Sequence, residues 1–140
     1  MNRDLQRFIK PHNQDFQTAF GEIKRGKKTS HWMWYIFPQI KELGFSETAK
    51  YYGIESLEEA TEFLLHPQLG QNLVTITSEL LKLGSNNATS IFGTPDDMKL
   101  RSSMTLFSLV SPANPIFQQV LDKFFDGKKD EQTIELLKLK

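Results

Sequence analysis

Apolar residues recur at intervals of three and four along nearly the whole chain, which is the spacing of one face of an α-helix. No run of four to eight residues alternates cleanly between apolar and polar positions, so β-strands have little support. The pattern predicts an all-α fold, a single compact domain over residues 1–140 with about seven or eight short helices. Proline breaks between short helices favour irregular orthogonal packing over a four-helix bundle.

Capping and breaking residues place the predicted helix ends. The first helical period is interrupted at Pro11 and resumes through Phe16 and Ile23, ending before Gly26. Ser56, followed three residues later by a glutamate, forms a capping box. The other predicted starts are Pro67 in the first turn of a helix that runs to about Leu83, Thr94 as a hydroxyl cap before Pro95, Asn114 before Pro115, and Asp130.

The densest aromatic stretch is SHWMWYIFPQ, Ser30 to Gln39. Ser30 can cap a helix of about two turns, because Pro38 disfavours helical geometry at the residue before it. A buried strand is the competing local interpretation. Apolar residues cover the whole circumference, which is typical of a core element. The alternative is the wall of a binding site, because buried indole N–H groups need partners and the polar ends of the stretch could orient a ligand.

A second unusual stretch runs from Met98 to Phe107 and places three hydroxyls among apolar positions of a helix, those of Ser102, Ser103 and Thr105. Each hydroxyl can bond to the carbonyl four residues back. The functional alternative is a row of small donors left inside the protein so that a ligand can approach.

Two cations on the same helix have acidic neighbours at helical spacing. Arg101 stands four residues after Asp97, and Lys99 stands three residues after Asp96. Both pairs are expected to form ion pairs on the helix surface.

A basic run, Lys24 to Lys28, precedes the aromatic stretch directly. Basic residues beside aromatic ones can bind a nucleotide or a nucleic-acid single strand by charge and stacking. Cations at a helix C-terminus also simply offset the helix dipole. The 17 basic residues equal the 17 acidic ones, which argues against a dedicated nucleic-acid binder.

The composition excludes several functional classes. There is no cysteine, which excludes thiol catalysis, disulfides and the usual structural zinc sites. The longest apolar run, Trp32 to Phe37, is too short to span a bilayer. The first four residues lead into an amphipathic segment without the hydrophobic region of a signal peptide, so we expect a cytoplasmic protein.

Other catalytic signatures are weak. The three histidines lie far apart in the sequence and show no metal-ligand spacing, so no metal site is expected. The chain has no glycine-rich phosphate loop and no nucleophile-elbow motif. Glu58, Glu59 and Glu62 near a helix start are interpreted as a solvated face.

SHWMWYIFPQ and KLRSSMTLF together resemble the domain-of-unknown-function 1810 family of small bacterial proteins. The resemblance covers nearly the whole chain and implies a single α-helical domain, without an assigned activity or catalytic residue. Some relatives carry an automatic calpastatin label, which fits this chain poorly because calpain-inhibitor segments are flexible and core-poor. The remaining matching positions are His66-Pro67, Leu69-Gly70, Ile91-Phe92-Gly93, Asp96 or Asp97, Phe117, Leu121-Asp122 and Gly127.

These observations lead to the hypothesis of a pocket between the aromatic stretch and the Lys99–Thr105 helix, for a small anionic or nucleotide-like ligand. The expected ligand-binding residues are Ser30, Trp32, Trp34, Gln39, Lys99, Ser102 and Ser103. His31 is the expected catalytic residue if chemistry occurs, because imidazole exchanges protons near neutral pH. The alternative function is a non-enzymatic protein-interaction module in which the aromatic cluster is core. Enzymatic activity, cofactor and oligomeric state stay open at this point.

Overall fold

The described part of the computed structural model is residues 5–140, so the expectation about a leader segment in the first four residues lies outside it. The described residues form nine α-helices and one short 3₁₀ helix without a β-strand, which confirms the all-α prediction. Among these helices none has the length and apolarity that crossing a membrane requires. The helices are α1 (Gln6–Lys24), α2 (Met33–Ile36), α3 (Glu47–Tyr51), α4 (Leu57–Leu65), α5 (Leu69–Leu81), α6 (Ala88–Phe92), α7 (Asp96–Ser108), α8 (Pro115–Phe125) and α9 (Glu131–Lys138), with the 3₁₀ helix at Lys41–Leu43.

Helices α5 and α7 lie at the centre of the packing. Helix α5 contacts α1, α4 and α8, and α7 contacts α4, α6, α8 and α9, so α4 and α8 link the two central helices. A line of buried rings crosses this core. Phe63 lies 5.1 Å from Phe8 and 5.6 Å from Phe107 between ring centroids, and Phe107 lies 5.7 Å from Phe117. The rings connect α1, α4, α7 and α8 into one apolar interior.

The predicted break at Pro11 is wrong, because α1 continues through it. Proline removes one helical hydrogen bond to the carbonyl four residues back, that of Arg7. The helix nevertheless persists, since Phe8, Phe16 and Ile23 on either side of the proline lie on one buried face. Burial of that continuous face offsets the missing bond.

Three predicted caps form as expected. The side chain of Ser56 accepts the N–H of Glu59 at 3.1 Å, which begins α4. Asn114 accepts the N–H of Ile116 at the start of α8. Asp130 caps α9 in the same way. Each cap satisfies a backbone donor that the helix itself leaves free.

Two predicted starts are wrong. Helix α7 begins after Pro95 without a side-chain cap, so the hydroxyl of Thr94 does not have the predicted capping role. Helix α5 begins at Leu69, two residues beyond Pro67, and the side chain of its N-cap residue Gln68 does not cap it. Nδ1 of His66 accepts the backbone N–H groups of Gln68 and Leu69, both at 3.1 Å. A histidine acceptor in place of a hydroxyl is not a capping signal that sequence rules anticipate.

The corner between α4 and α5 requires a glycine. A Cβ atom at Gly70 would lie 1.8 Å from the carbonyl oxygen of Leu64, which no side chain tolerates. The two helices therefore approach backbone to backbone at this point.

Candidate functional site

The aromatic stretch is a single helical turn rather than the predicted two turns capped by a serine. Helix α2 has only four residues, and the hydroxyl of Ser30 donates to Glu22 instead of capping it. Beyond α2, Ile40 and Ile54 form an isolated parallel bridge. The N–H of Ile54 donates to the carbonyl of Gln39 at 2.9 Å, which fixes the backbone at the end of the stretch.

A buried carboxylate, that of Glu22, organises the first half of the stretch. Its oxygens accept the backbone N–H groups of Thr29 at 2.8 Å and Ser30 at 3.0 Å, the Ser30 hydroxyl at 2.5 Å and the indole N–H of Trp32 at 2.9 Å. Burial by itself raises the pKa of Glu22, but the hydrogen bonds from Ser30, Thr29 and Trp32 outweigh it and lower the pKa to about 2. Trp32 is 1% exposed, so it belongs to the core.

Trp34, by contrast, is half-buried and lies beside α7. The ammonium nitrogen of Lys99 lies 6.0 Å from the centroid of its indole. Lys99 also forms the predicted ion pair with Asp96, at 3.7 Å. Cation and ring lie at the outer limit of a cation–π contact, so the two unusual stretches of the sequence meet at this point.

A cleft of about 390 Å³ opens beside this contact. It lies between the end of the aromatic stretch, the segment before α3, the first turns of α7 and the start of α9. An adjoining recess, which Trp34 lines, has room of only about 10 Å³, the space of one water molecule. The residues that line the cleft are Gln39, Leu43, Gly44, Phe45, Ser46, Ala49, Pro95, Met98, Lys99, Ser102, Asp130 and Gln132.

The cleft and its recess bring together four of the expected ligand-binding residues, Trp34, Gln39, Lys99 and Ser102. The others lie elsewhere: Ser30 and Trp32 bind Glu22, and Ser103 is fully buried. The side chain of His31 is exposed and lines neither the cleft nor the recess.

The hydroxyls of α7 mostly serve its junction with α9. Ser102 donates to the carbonyl of Met98 at 3.2 Å and lies 3.3 Å from a carboxylate oxygen of Asp130. Thr105 donates to the carbonyl four residues back at 2.8 Å and accepts the N–H of Asp130 at 2.8 Å. Both hydroxyls therefore make the predicted back-bond. Ser103 does not, since its hydroxyl has no partner among the described residues.

The predicted ion pair between Arg101 and Asp97 is wrong. The guanidinium of Arg101 donates to the carbonyls of Lys128 at 2.9 Å and Lys129 at 2.8 Å, in the loop before α9. Asp97 instead accepts the hydroxyl of Thr89 at 2.6 Å. Asp97 is itself buried, at 8% exposed, and its carboxylate already accepts hydrogen bonds, so it does not serve as the partner of Arg101.

Comparison with known proteins identifies the family. The family model described as "Protein of unknown function (DUF1810)" matches residues 2–137. The chain belongs to the DUF1810 family. The solved structure of the conserved hypothetical protein Rv1873 from Mycobacterium tuberculosis is 41% identical, with 98% of each chain covered and a TM-score of 0.95. None of the curated proteins matches the chain. The resemblance inferred from the two unusual stretches is confirmed, and the family description assigns no activity.

This DUF1810 chain also contains a buried ion pair that the sequence did not indicate. The two terminal guanidinium nitrogens of Arg7 donate to the carboxylate of Glu59, at 2.9 and 3.1 Å, and the glutamate is 0% exposed. The interpretation of Glu59 as part of a solvated face is therefore wrong. Fifty-two residues separate the two partners, so no local pattern could have shown the pair.

A second buried polar group is His12 of α1. Its Nδ1 lies 3.3 Å from the carbonyl of Tyr35 and its Nε2 lies 3.0 Å from the amide nitrogen of Asn72. Nδ1–H donating and Nε2 accepting describe a neutral imidazole. Burial lowers the pKa of His12, which agrees with the neutral form. Among the described residues no group of acidic or histidine side chains is arranged to hold a metal ion.

Proposed function

We propose that this DUF1810 protein binds a small ligand with an anionic group in the cleft between Gln39, Lys99 and Ser102. The main support for the proposal is the position of the Lys99 side chain. Its side chain lines both the cleft and the adjoining recess, and it lies over the Trp34 ring. Residues from two stretches about sixty positions apart in the sequence thus meet around one cation.

The side chains next to Lys99 favour an anion there, whereas the carboxylate of Asp130, which also lines the cleft, already accepts hydrogen bonds. Asp96 lies between two ammonium groups, Lys28 at 2.8 Å and Lys99 at 3.7 Å, so this group of three side chains carries one excess positive charge. The side chain of Lys99 is 28% exposed, which leaves it accessible from the cleft. A phosphate or carboxylate would meet a charge-assisted donor there.

The dimensions and lining of the cleft fit a ligand of mononucleotide size. Its volume of about 390 Å³ lies within the range of small-molecule sites, about 300–1,000 Å³. Phe45 and Met98 offer apolar surface at the rim, and both are exposed. The side chain of Gln39 can orient polar groups of the ligand, and the Ser102 hydroxyl, which donates its proton to Met98, can accept a hydrogen bond from the ligand. The proposal retains a cytoplasmic protein of one domain over residues 1–140.

Thermal unfolding against a ligand panel tests the proposal. The panel contains inorganic phosphate, nucleotides, NAD, ADP-ribose, sugar phosphates, amino acids and short RNA. A ligand at a hundred times its Kd increases the free energy of unfolding by about 2.7 kcal/mol. For a chain of this length, that increase raises the Tm by roughly 8 °C. The shift is expected to disappear in Lys99→Met and to shrink in Ser102→Ala.

The matched control is Lys82→Met, which removes a lysine whose side chain is 73% exposed outside the cleft. This variant should respond to the ligand as the unaltered protein does. A panel without any response, or a response that Lys99→Met retains, would overturn the proposal. Binding of short RNA that falls steeply with salt would indicate nucleic-acid recognition instead.

A second candidate function is protein interaction, and one residue favours it. Phe45, at the rim of the cleft, is 94% exposed, which is unusual for a phenylalanine. Sedimentation over a range of concentrations would detect self-association, which Phe45→Ser should abolish. A monomer at every concentration would exclude self-association through this residue.

A further inference from the structure

The carboxylate of Asp96 contacts two lysines at unequal distances. Its Oδ2 lies 2.8 Å from the ammonium nitrogen of Lys28, whereas its Oδ1 lies 3.7 Å from that of Lys99. The first distance is that of a charge-assisted hydrogen bond, and the second is a contact of charges without one. The carboxylate is therefore bound mainly by Lys28.

Lys28 is held in this position by its other contacts. Its ammonium donates to the carbonyl of Ser30 at 2.5 Å and lies 4.9 Å from the centroid of the Trp32 ring. Its backbone N–H donates to the carbonyl of Ile91 at 2.7 Å. The side chain is only 6% exposed and does not line the cleft. Lys28 therefore contacts Asp96 and does not contact the cleft.

The difference between the two contacts affects how strongly Lys99 can attract an anion in the cleft. With Lys28 in place, the negative charge of Asp96 is neutralised from the buried side. Without Lys28, Asp96 would pair with Lys99 alone, and an incoming anion would have to compete with that carboxylate. The opposing charge lies within a few ångströms of the ligand's anionic group, where screening by salt is weak.

We infer that Lys28 is a positioning residue that sets the anion affinity of the cleft by neutralising Asp96 and so leaving Lys99 free for the ligand. The inference rests on the proposed function. It assigns the basic run before the aromatic stretch a role in ligand binding, through Asp96 rather than by contact with the ligand.

A double-mutant cycle tests the inference with adenosine monophosphate and inorganic phosphate as probes, and with Kd measured by calorimetric titration at low salt. Lys28→Met should weaken binding about three- to tenfold, and Lys28→Arg, which keeps the charge, should restore affinity to within about twofold. Asp96→Asn should strengthen binding. In the Asp96→Asn background, Lys28→Met should change Kd by less than about twofold, because the charge it neutralises is absent.

Equal loss of affinity from Lys28→Met in both backgrounds would overturn the inference, since Lys28 would then act on the ligand by its own charge. Unchanged affinity in Lys28→Met would also overturn it. Asp96 is partly exposed, with 21% of its side chain accessible. If Lys28→Met does not fold, the Asp96→Asn variant by itself tests the inference. Unchanged or weaker binding in that variant would overturn it. If neither probe binds the unaltered protein and the ligand panel gives no response, the proposed function fails together with it.

Discussion

The indole N–H of Trp32 donates to a carboxylate oxygen of Glu22 at 2.9 Å in the protein interior. The glutamate is 2% exposed, and its four donors are neutral groups rather than a cation. A buried charge is stable in such a setting only when its lone pairs are satisfied. The tryptophan and the carboxylate therefore stabilise each other, and neither is free for a ligand.

Acid should destabilise the protein through Glu22. Its pKa of about 2 lies below the ordinary glutamate value of 4.5, so the folded state favours the ionised form. The resulting stability is present above pH 4.5 and is lost as pH falls from 4.5 towards 2. The shift corresponds to roughly 3 kcal/mol in the free energy of unfolding. Urea unfolding at pH 7, 4.5 and 3 should show this loss, and Glu22→Gln should flatten the pH dependence and lower stability at pH 7 by about 2–3 kcal/mol.

The control for this prediction is Glu47→Gln, at an exposed glutamate of α3. It should change stability by less than about 0.5 kcal/mol and keep the acid loss of the unaltered protein. A Glu22→Gln variant with the same pH dependence as the unaltered protein would contradict the role of the carboxylate.

Removing one partner of the Arg7–Glu59 pair should be costly. Arg7→Met leaves the carboxylate of Glu59 buried without its bidentate partner, which should lower the free energy of unfolding by about 3–5 kcal/mol. The double variant Arg7→Met with Glu59→Leu should lose much less than the sum of the single variants. Chemical unfolding of the full cycle measures the coupling.

The exposed pair of Glu135 and Lys138, 3.2 Å apart, is the matched comparison. Its side chains are 66% and 70% exposed, so its coupling energy should stay below about 1 kcal/mol. Similar coupling in the two pairs would show that burial of Arg7–Glu59 has no energetic consequence.

His12 should make stability fall in mild acid. Burial lowers its pKa below the ordinary histidine value of 6.5, so the unfolded state binds the proton more readily than the folded state. The stability from the neutral imidazole is present above pH 6.5 and is lost as pH falls below it. The free energy of unfolding at pH 7.5 and 5.5 should differ less in His12→Gln than in the unaltered protein. His31→Gln, at an exposed position, should leave the difference unchanged.

Only one of the two tryptophans should be accessible to solvent quenchers. Trp32 is 1% exposed, whereas Trp34 is half-buried beside Lys99. Acrylamide should therefore quench the emission of Trp32→Phe, which retains Trp34, more strongly than that of Trp34→Phe. Equal quenching in the two variants would contradict the different burial of the indoles.

The parts of the fold that sequence reasoning anticipated are those that depend on neighbours in the chain. The caps of Ser56, Asn114 and Asp130 act within three residues, and helical periodicity is equally local. The continuation of α1 through Pro11 depends on tertiary burial, which no local pattern shows. The contacts of His66 at the start of α5 are local, but histidine is not among the residue types that capping rules use.

Sequence reasoning predicted part of the candidate site, but it did not predict which of the two tryptophans lies in the core. Gln39, Lys99 and Ser102 lie in the two stretches whose residue types are unusual, and the cleft forms where those stretches meet. The spacing of the tryptophans could not tell core from cleft, because Glu22 holds Trp32 from ten residues upstream. Contacts between residues this far apart in the sequence determine which of the two indoles is buried.

We expect a low local stability for α9, which forms one wall of the cleft where it docks on α7. Among the α9 residues only Thr133 is buried, and the first turn is held to α7 through Asp130. A helix whose core-facing leucines, Leu136 and Leu137, are only half-buried opens more often than the central helices do. Amide hydrogens of α9 should exchange with solvent well before those of α5, and each opening would widen the cleft from its Asp130 side.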